Sequence, residues 1–238
     1  MARSPRPGIE RDLHALANPK RAIDLQRFFK TGPGGYGEGD RFLGLTMPQV
    51  RQLARTHGAA SLKDIERLLE SPWHEARTLA LVLMVNQYAQ ASEPARRAIY
   101  RLYLARTDRI NNWDLVDVSA PGVVGAHLLM RQRGVLRRLA RSRNLWERRI
   151  AMVSTAAFIR NDQFDDTLAL ADMLLTDPHD LMHKAVGWML REVGKRDEKM
   201  LRRFLDRHAA RMPRTALRYA LERLTPRQRQ HYMTTPRT

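Results

Sequence analysis

Ser71–Met84, SPWHEARTLALVLM, decides how this chain folds. Ala76, Leu79, Ala80, Leu83 and Met84 recur at three- and four-residue spacing, so they fall on one face of a helix that needs a partner to cover it. The pattern returns in Asn144–Thr155, NLWERRIAMVST, and in Asp180–Glu192, DLMHKAVGWMLRE: a large apolar residue, then charged residues, then a small-apolar run. Trp73, Trp113, Trp146 and Met182 open such segments at separations of 40, 33 and 36 residues, each the length of a helix pair. Ile150, Val153, Ala157 and Phe158 extend the apolar stripe of the third.

Working outward, helix starts are dense and strand signals scarce. Thr46-Met47-Pro48, Ser71-Pro72 and Ser92-Glu93-Pro94 each put a hydroxyl just before a proline, which predicts helix first turns, and Asn18-Pro19 ends one helix and starts the next. A period near forty residues is that of two-helix solenoids such as HEAT repeats, and an ordinary helical bundle is the alternative. The expectation is one all-α domain over residues 1–238 with short flexible tails at both ends. Lys30–Leu45, KTGPGGYGEGDRFLGL, interrupts the repeat and reads as a glycine-rich connector; it matches neither a Walker loop nor a dinucleotide fingerprint.

Forty-two Lys and Arg against 25 Asp and Glu leave a formal charge of +17 on 238 residues, which points to a polyanionic partner. Together with the repeat this predicts a superhelical solenoid of HEAT-like pairs with a concave basic face. The absence of cysteine removes disulfides, thiolate metal sites and a Cys nucleophile. No run of eighteen apolar residues and no secretory h-region is present, so the expectation is a soluble, cytoplasmic protein with no membrane partner.

The densest chemical signal is Ile110–Asp117, INNWDLVD, where Trp113 and Asp117 stand four apart and share a helix face. Asp114 points elsewhere and is expected to serve the helix start. On these residues alone an ion pair is the favoured reading of Asp117. Arg149 follows Trp146 by three, and Lys184 and Arg191 flank Trp188 at minus four and plus three, so bases and indoles can face one groove. Core packing is the plainer reading of Trp73 and Trp146. His127, His179, His183 and His208 lack ligand spacing with carboxylates, so no metal is expected.

INNWDLVD, LWERRIA, HKAVGWMLREVGKRD and RMPRTALRYALERL, with KTGPGGYGEGDRFLGL, resemble in the same order the segments of AlkD-like DNA alkylation-repair proteins, from about Ala22 to Tyr232. The resemblance implies a stack of HEAT-like repeats that excises cationic N3- and N7-alkylated purines from duplex DNA, with no cofactor. It places the essential carboxylate on Asp117, the two active-site indoles on Trp113 and Trp188, and phosphate contacts on Arg149 and Arg191, with Arg148 and Lys184 beside them. Val118-Ser119 departs from the Ser-Ser expected after the aspartate, which touches local packing rather than chemistry. No lysine nucleophile is apparent, so the implied product is an abasic site. The implied protein is a monomer, associated with the nucleoid when bound. The rivals are a non-enzymatic HEAT scaffold binding DNA or RNA, and a solenoid whose positive surface meets an acidic protein.

Overall fold

A computed structural model describes residues 8–236; the tails expected at both ends lie largely outside them. The described chain is all-helical, with one isolated bridge between Arg41 and Trp73 in place of any strand. It forms two compact units, one up to Ser119 and one from Ala120 onward.

The first unit contains α1 (Ile9–His14), α2 (Pro19–Phe28), α3 (Met47–Thr56), α4 (Leu62–Glu70), α5 (His74–Gln90), α6 (Glu93–Ala105) and α7 (Trp113–Ala120). Helix α5 is its axis, with α3, α4 and α6 packed on it in chain order. Eleven consecutive residues of α5, His74 to Met84, are buried, so this helix is covered all round. Asn18 caps α2 by accepting the Arg21 N–H, and Thr46 closes a reciprocal capping box with Gln49. Ser71-Pro72 differs from expectation: Ser71 ends α4, and α5 begins two residues later with Trp73 at its N-cap. The Ser71 hydroxyl instead accepts the Trp73 N–H at 3.2 Å, shaping the turn between them.

The second unit opens with a wide π-helical turn, Pro121–Gly125, where the proline has no N–H to give to a tighter pattern. Then follow α8 (Ala126–Leu128), α9 (Gly134–Ala140), α10 (Leu145–Ser154), α11 (Ala156–Ile159), α12 (Asp165–Leu174), α13 (Asp180–Arg196), α14 (Glu198–His208), α15 (Arg214–Leu221) and α16 (Pro226–Met233). Helix α13 is the axis, flanked by α10, α12, α14 and α15. The stripe read as one helix from Ile150 to Phe158 is broken at Thr155, whose hydroxyl turns back onto the Met152 carbonyl at 2.7 Å. Gly187 lets α15 approach closely, since a Cβ there would lie 2.4 Å from the Ala216 carbonyl oxygen. Trp73, Trp113, Trp146 and Met182 thus stand at or beside the starts of α5, α7, α10 and α13, and α3 on α5 and α15 on α13 pack across an intervening helix.

Candidate functional site

In the first unit the site is built on α7. Leu115, Val116 and Ala120 are fully buried and fix one side of the helix against the core. Trp113 and Asp117, one turn apart, share another side and are both half-buried. Asn112, itself buried, accepts the Trp113 backbone N–H on its side-chain oxygen at 2.8 Å and so starts the helix.

The Trp113 indole is gripped from several directions. Its ring stacks on Phe29 at 5.4 Å and meets Phe28 edge-on at 6.1 Å. Its Nε1–H donates to the Tyr36 hydroxyl at 3.2 Å, and that hydroxyl donates to the Phe28 carbonyl at 3.2 Å. Two turns of α2 and the glycine-rich segment therefore hold one indole face-on to a small aromatic cluster with Ala22, Leu25 and Phe42.

Beneath the cluster lies a charge network that sequence reasoning missed. His74, at the start of α5, joins Asp40 through Nδ1 at 2.8 Å and Asp114 through Nε2 at 2.7 Å, and Arg77 pairs with the other Asp40 oxygen. Burial acts to lower the His74 pKa, but Asp114 and Asp40 together outweigh it and raise it from 6.5 to about 9. Both ring nitrogens therefore carry protons and donate. Burial likewise acts to raise the Asp40 carboxyl, and His74, then Arg77, hold it below its ordinary value. Asp114, expected to serve the free N–H groups of the helix start, instead accepts from His74. A signal was available: His74 and Asp114 occupy the same register, one residue after Trp73 and Trp113.

The glycine-rich segment is an ordered connector. Glu75, 4% exposed, accepts the backbone N–H groups of Leu43, Gly44 and Leu45 at 2.9, 2.8 and 3.2 Å. Gly44 has φ of 89°, and a Cβ there would sit 2.1 Å from the Asn18 carbonyl oxygen, so glycine is required.

Asp117 lies within electrostatic reach of a buried phenol. Burial above all pushes the Tyr103 hydroxyl above its ordinary value, Ser119 opposes this, and the charge on Asp117 adds to it. Tyr103 and Ser119 share a hydrogen bond of 2.9 Å, and the Ser119 hydroxyl donates to the Leu115 carbonyl at 2.5 Å. The serine of Val118-Ser119 thus joins α6 to the back of α7.

The remaining expected residues stand in the second unit. Trp188 is half-buried on α13, between Lys184 and Arg191. Lys184 pairs with Asp180 at 2.9 Å, and Arg191 pairs with Glu222 and, at 3.3 Å, with Glu192. Asp180 and Glu222 are exposed, whereas Glu192 is half-buried. Arg149 is 4% exposed and donates to the Leu181 carbonyl of α13 at 2.6 Å. Arg148 grips Asp177 through Nε at 2.5 Å and donates to the carbonyls of Ser142 and Arg143 at 3.1 and 3.0 Å. Trp146 is buried, as its plainer reading holds.

Among the described residues no group of three His, Asp or Glu could hold a metal ion, and no helix is long and apolar enough to cross a membrane. Within the second unit, His179 caps α13 by accepting the Leu181 N–H at 3.1 Å and His208 stacks on Phe204 at 4.3 Å. The units also differ in charge. Residues 1–119 carry 18 Lys and Arg against 13 Asp and Glu, net +5, whereas residues 120–238 carry 24 against 12, net +12.

No curated protein matches the sequence. Among solved structures, one described as a predicted DNA alkylation repair enzyme from Enterococcus faecalis superposes with a TM-score of 0.69 at 17% identity, over 88% of this chain and 97% of that one, which shows a shared fold. Residues 9–224 match the family described as DNA alkylation repair enzymes. That match spans most of the sequence, including both halves with their indoles, carboxylates and arginines, and the chain therefore belongs to the DNA alkylation repair enzyme family.

Proposed function

We propose that the protein is a monofunctional DNA glycosylase that hydrolyses the N-glycosidic bond of cationic N3- and N7-alkylated purines in duplex DNA and leaves an abasic site. The observation that carries this reading is the pairing of Trp113 and Asp117 on one half-exposed side of α7, with the indole fixed by Phe29 and Tyr36. A purine alkylated at N3 or N7 already carries positive charge and departs neutral, so no acid is needed at the leaving group. Positive charge develops on the deoxyribose instead, as in glycoside hydrolysis. A carboxylate held in place stabilises that charge and orients water, and an indole face adds cation–π attraction. Asp117 takes the first role and Trp113 the second; Trp188, in the other unit, is assigned a further indole contact.

The reading treats both units as one HEAT-like repeat domain acting as a monomer on DNA in the cytoplasm, associated with the nucleoid when bound. Of the expected DNA contacts, Lys184 and Arg191 can exchange an exposed carboxylate for a phosphate at little cost, since such surface pairs contribute only about 0–1 kcal/mol. Arg148 and Arg149, turned into the fold, act on DNA through the shape of α10. The experiment is incubation with duplex containing N7-methylguanine, with free base and abasic sites both quantified. Release of free base with matching abasic sites is expected. Tight binding without release would leave a non-enzymatic DNA-binding scaffold.

A further inference from the structure

Between Arg131 and Arg143 the sequence RQRGVLRRLARSR holds six arginines and no acid. Two are built into the fold. Arg131 donates to the His127 carbonyl at 2.7 Å, while Arg133 pairs with Asp166 at 2.7 Å and lies 3.8 Å over the Phe158 ring. Arg137, Arg138, Arg141 and Arg143 are exposed, and their side chains have no hydrogen bond or ion pair among the described residues. This sets them apart from Arg148, Arg149, Lys184 and Arg191, all of which are engaged within the protein.

Arg138 and Arg141 are three apart and Arg137 and Arg141 four apart, so they cluster about the last turn of α9, where Arg141 is the C-cap. Arg143 stands in the turn that leads into α10. That turn is rigid: Ser142 accepts the Asn144 N–H at 3.0 Å, and Arg148, anchored on the buried carboxylate of Asp177, holds the carbonyls of Ser142 and Arg143. One arginine turned inward thus fixes the backbone that carries two turned outward.

We propose that this α9–α10 corner is a contact surface for the phosphate backbone of duplex DNA. Four guanidiniums without counter-charges repel one another, and phosphates relieve that repulsion while accepting their planar, forked donors. The partner is taken as DNA because the chain belongs to a DNA-repair family and the corner lies in the unit that carries +12. The proposal concerns affinity and stands apart from base excision.

The test is equilibrium binding to a lesion-free duplex across a salt series. It compares wild type with a variant carrying Arg137→Ala, Arg138→Ala, Arg141→Ala and Arg143→Ala. A charge-matched control carries Arg218→Ala, Arg223→Ala, Arg227→Ala and Arg229→Ala, exposed positions on or between α15 and α16. The corner variant is expected to lose at least tenfold in affinity and to flatten the slope of log K against log salt by about 3.6, near 0.9 for each of the four lost contacts. The control should lose less than threefold, and the matching four Arg→Lys changes should keep the slope. Equal losses in corner and control variants would assign binding to diffuse charge and overturn the proposal, as would an unchanged slope in a corner variant whose helical circular dichroism is native. A protein that releases no base but shows the expected slope change loses the glycosylase reading and keeps this one.

Discussion

Helices α5 and α13 have the same length, 17 residues, and the same place at the centre of their units, yet they treat charge in opposite ways. The first turn of α5 buries His74, Glu75 and Arg77, each spent on a partner inside the unit: Asp40 and Asp114, the backbone of residues 43–45, and Asp40 again. Helix α13 buries one stripe, Met182, Ala185, Val186, Met189, Leu190 and Val193, and leaves Lys184, Arg191 and Lys195 outside it. One helix uses ionised groups as internal ties and the other displays them, in line with +5 for the first half and +12 for the second. The difference divides the work. On the proposed reading, precision around Trp113 and Asp117 comes from buried polar groups, and attraction for DNA phosphates from groups at the surface.

That division predicts that variants in the first unit change rate and variants displayed on the second change affinity. The largest effect is expected at Asp117. Asp117→Asn should keep duplex affinity while single-turnover release of N7-methylguanine falls by about 10²–10³-fold, because the lost charge acts on the transition state. Comparable rates for wild type and variant would break the comparison at its catalytic end.

Arg148→Ala is expected to act on stability first. It leaves the Asp177 carboxylate, 3% exposed, with the His179 N–H but without its counter-charge, and loosens the turn at Ser142 and Arg143, at about 3 kcal/mol, or on the order of 10 °C in Tm. A native melting curve with weakened DNA binding would instead make Arg148 a direct phosphate contact.

His74 sharpens the comparison through pH. Its pKa is raised to about 9 when folded against 6.5 unfolded, so its contribution is fully present below pH 6.5 and is lost as pH rises toward 9. Wild-type stability should decline across that window by up to about 3 kcal/mol, whereas His74→Gln should start lower and stay flat. Parallel curves for the two proteins would remove the ionised His74 from the account.

The smallest effects belong to α13. Lys184→Ala and Arg191→Ala should leave Tm within about 2 °C, since Asp180 and Glu222 are exposed and Glu192 keeps Lys195 as a partner, and each should reduce the salt slope of DNA binding by about 0.9. Excision at saturating protein should be unchanged.

Periodicity made the helices legible, because every residue of the Ala76–Met84 stripe is buried, and so is each of Ile150, Val153, Ala157 and Phe158. It also placed Trp113 and Asp117 on a common side, since i and i+4 neighbours follow from helix geometry alone. What it could not supply were contacts between elements distant in sequence. Asp40 and His74 are 34 residues apart and His74 and Asp114 are 40 apart, so sequence alone assigns Asp114 to its own helix terminus. Arg149 shows the same limit: three residues from Trp146 it looks like a surface base, and only the proximity of the Leu181 carbonyl turns it inward.

Glu75 has one further consequence. In a protein whose described chain has no β-ladder, a single carboxylate supplies the hydrogen-bond partners of three successive backbone amides and so closes the glycine-rich excursion at its far end. The near end is closed by Tyr36 on the Phe28 carbonyl. Inside the near clasp the exposed turn at 32–34 is itself tied, with the Gly35 N–H on the Gly32 carbonyl and the Gly34 N–H on Glu38, both at 3.0 Å. Any change of length there has to keep Tyr36 in reach of both the Phe28 carbonyl and the Trp113 indole, so the tip accepts substitution more readily than insertion.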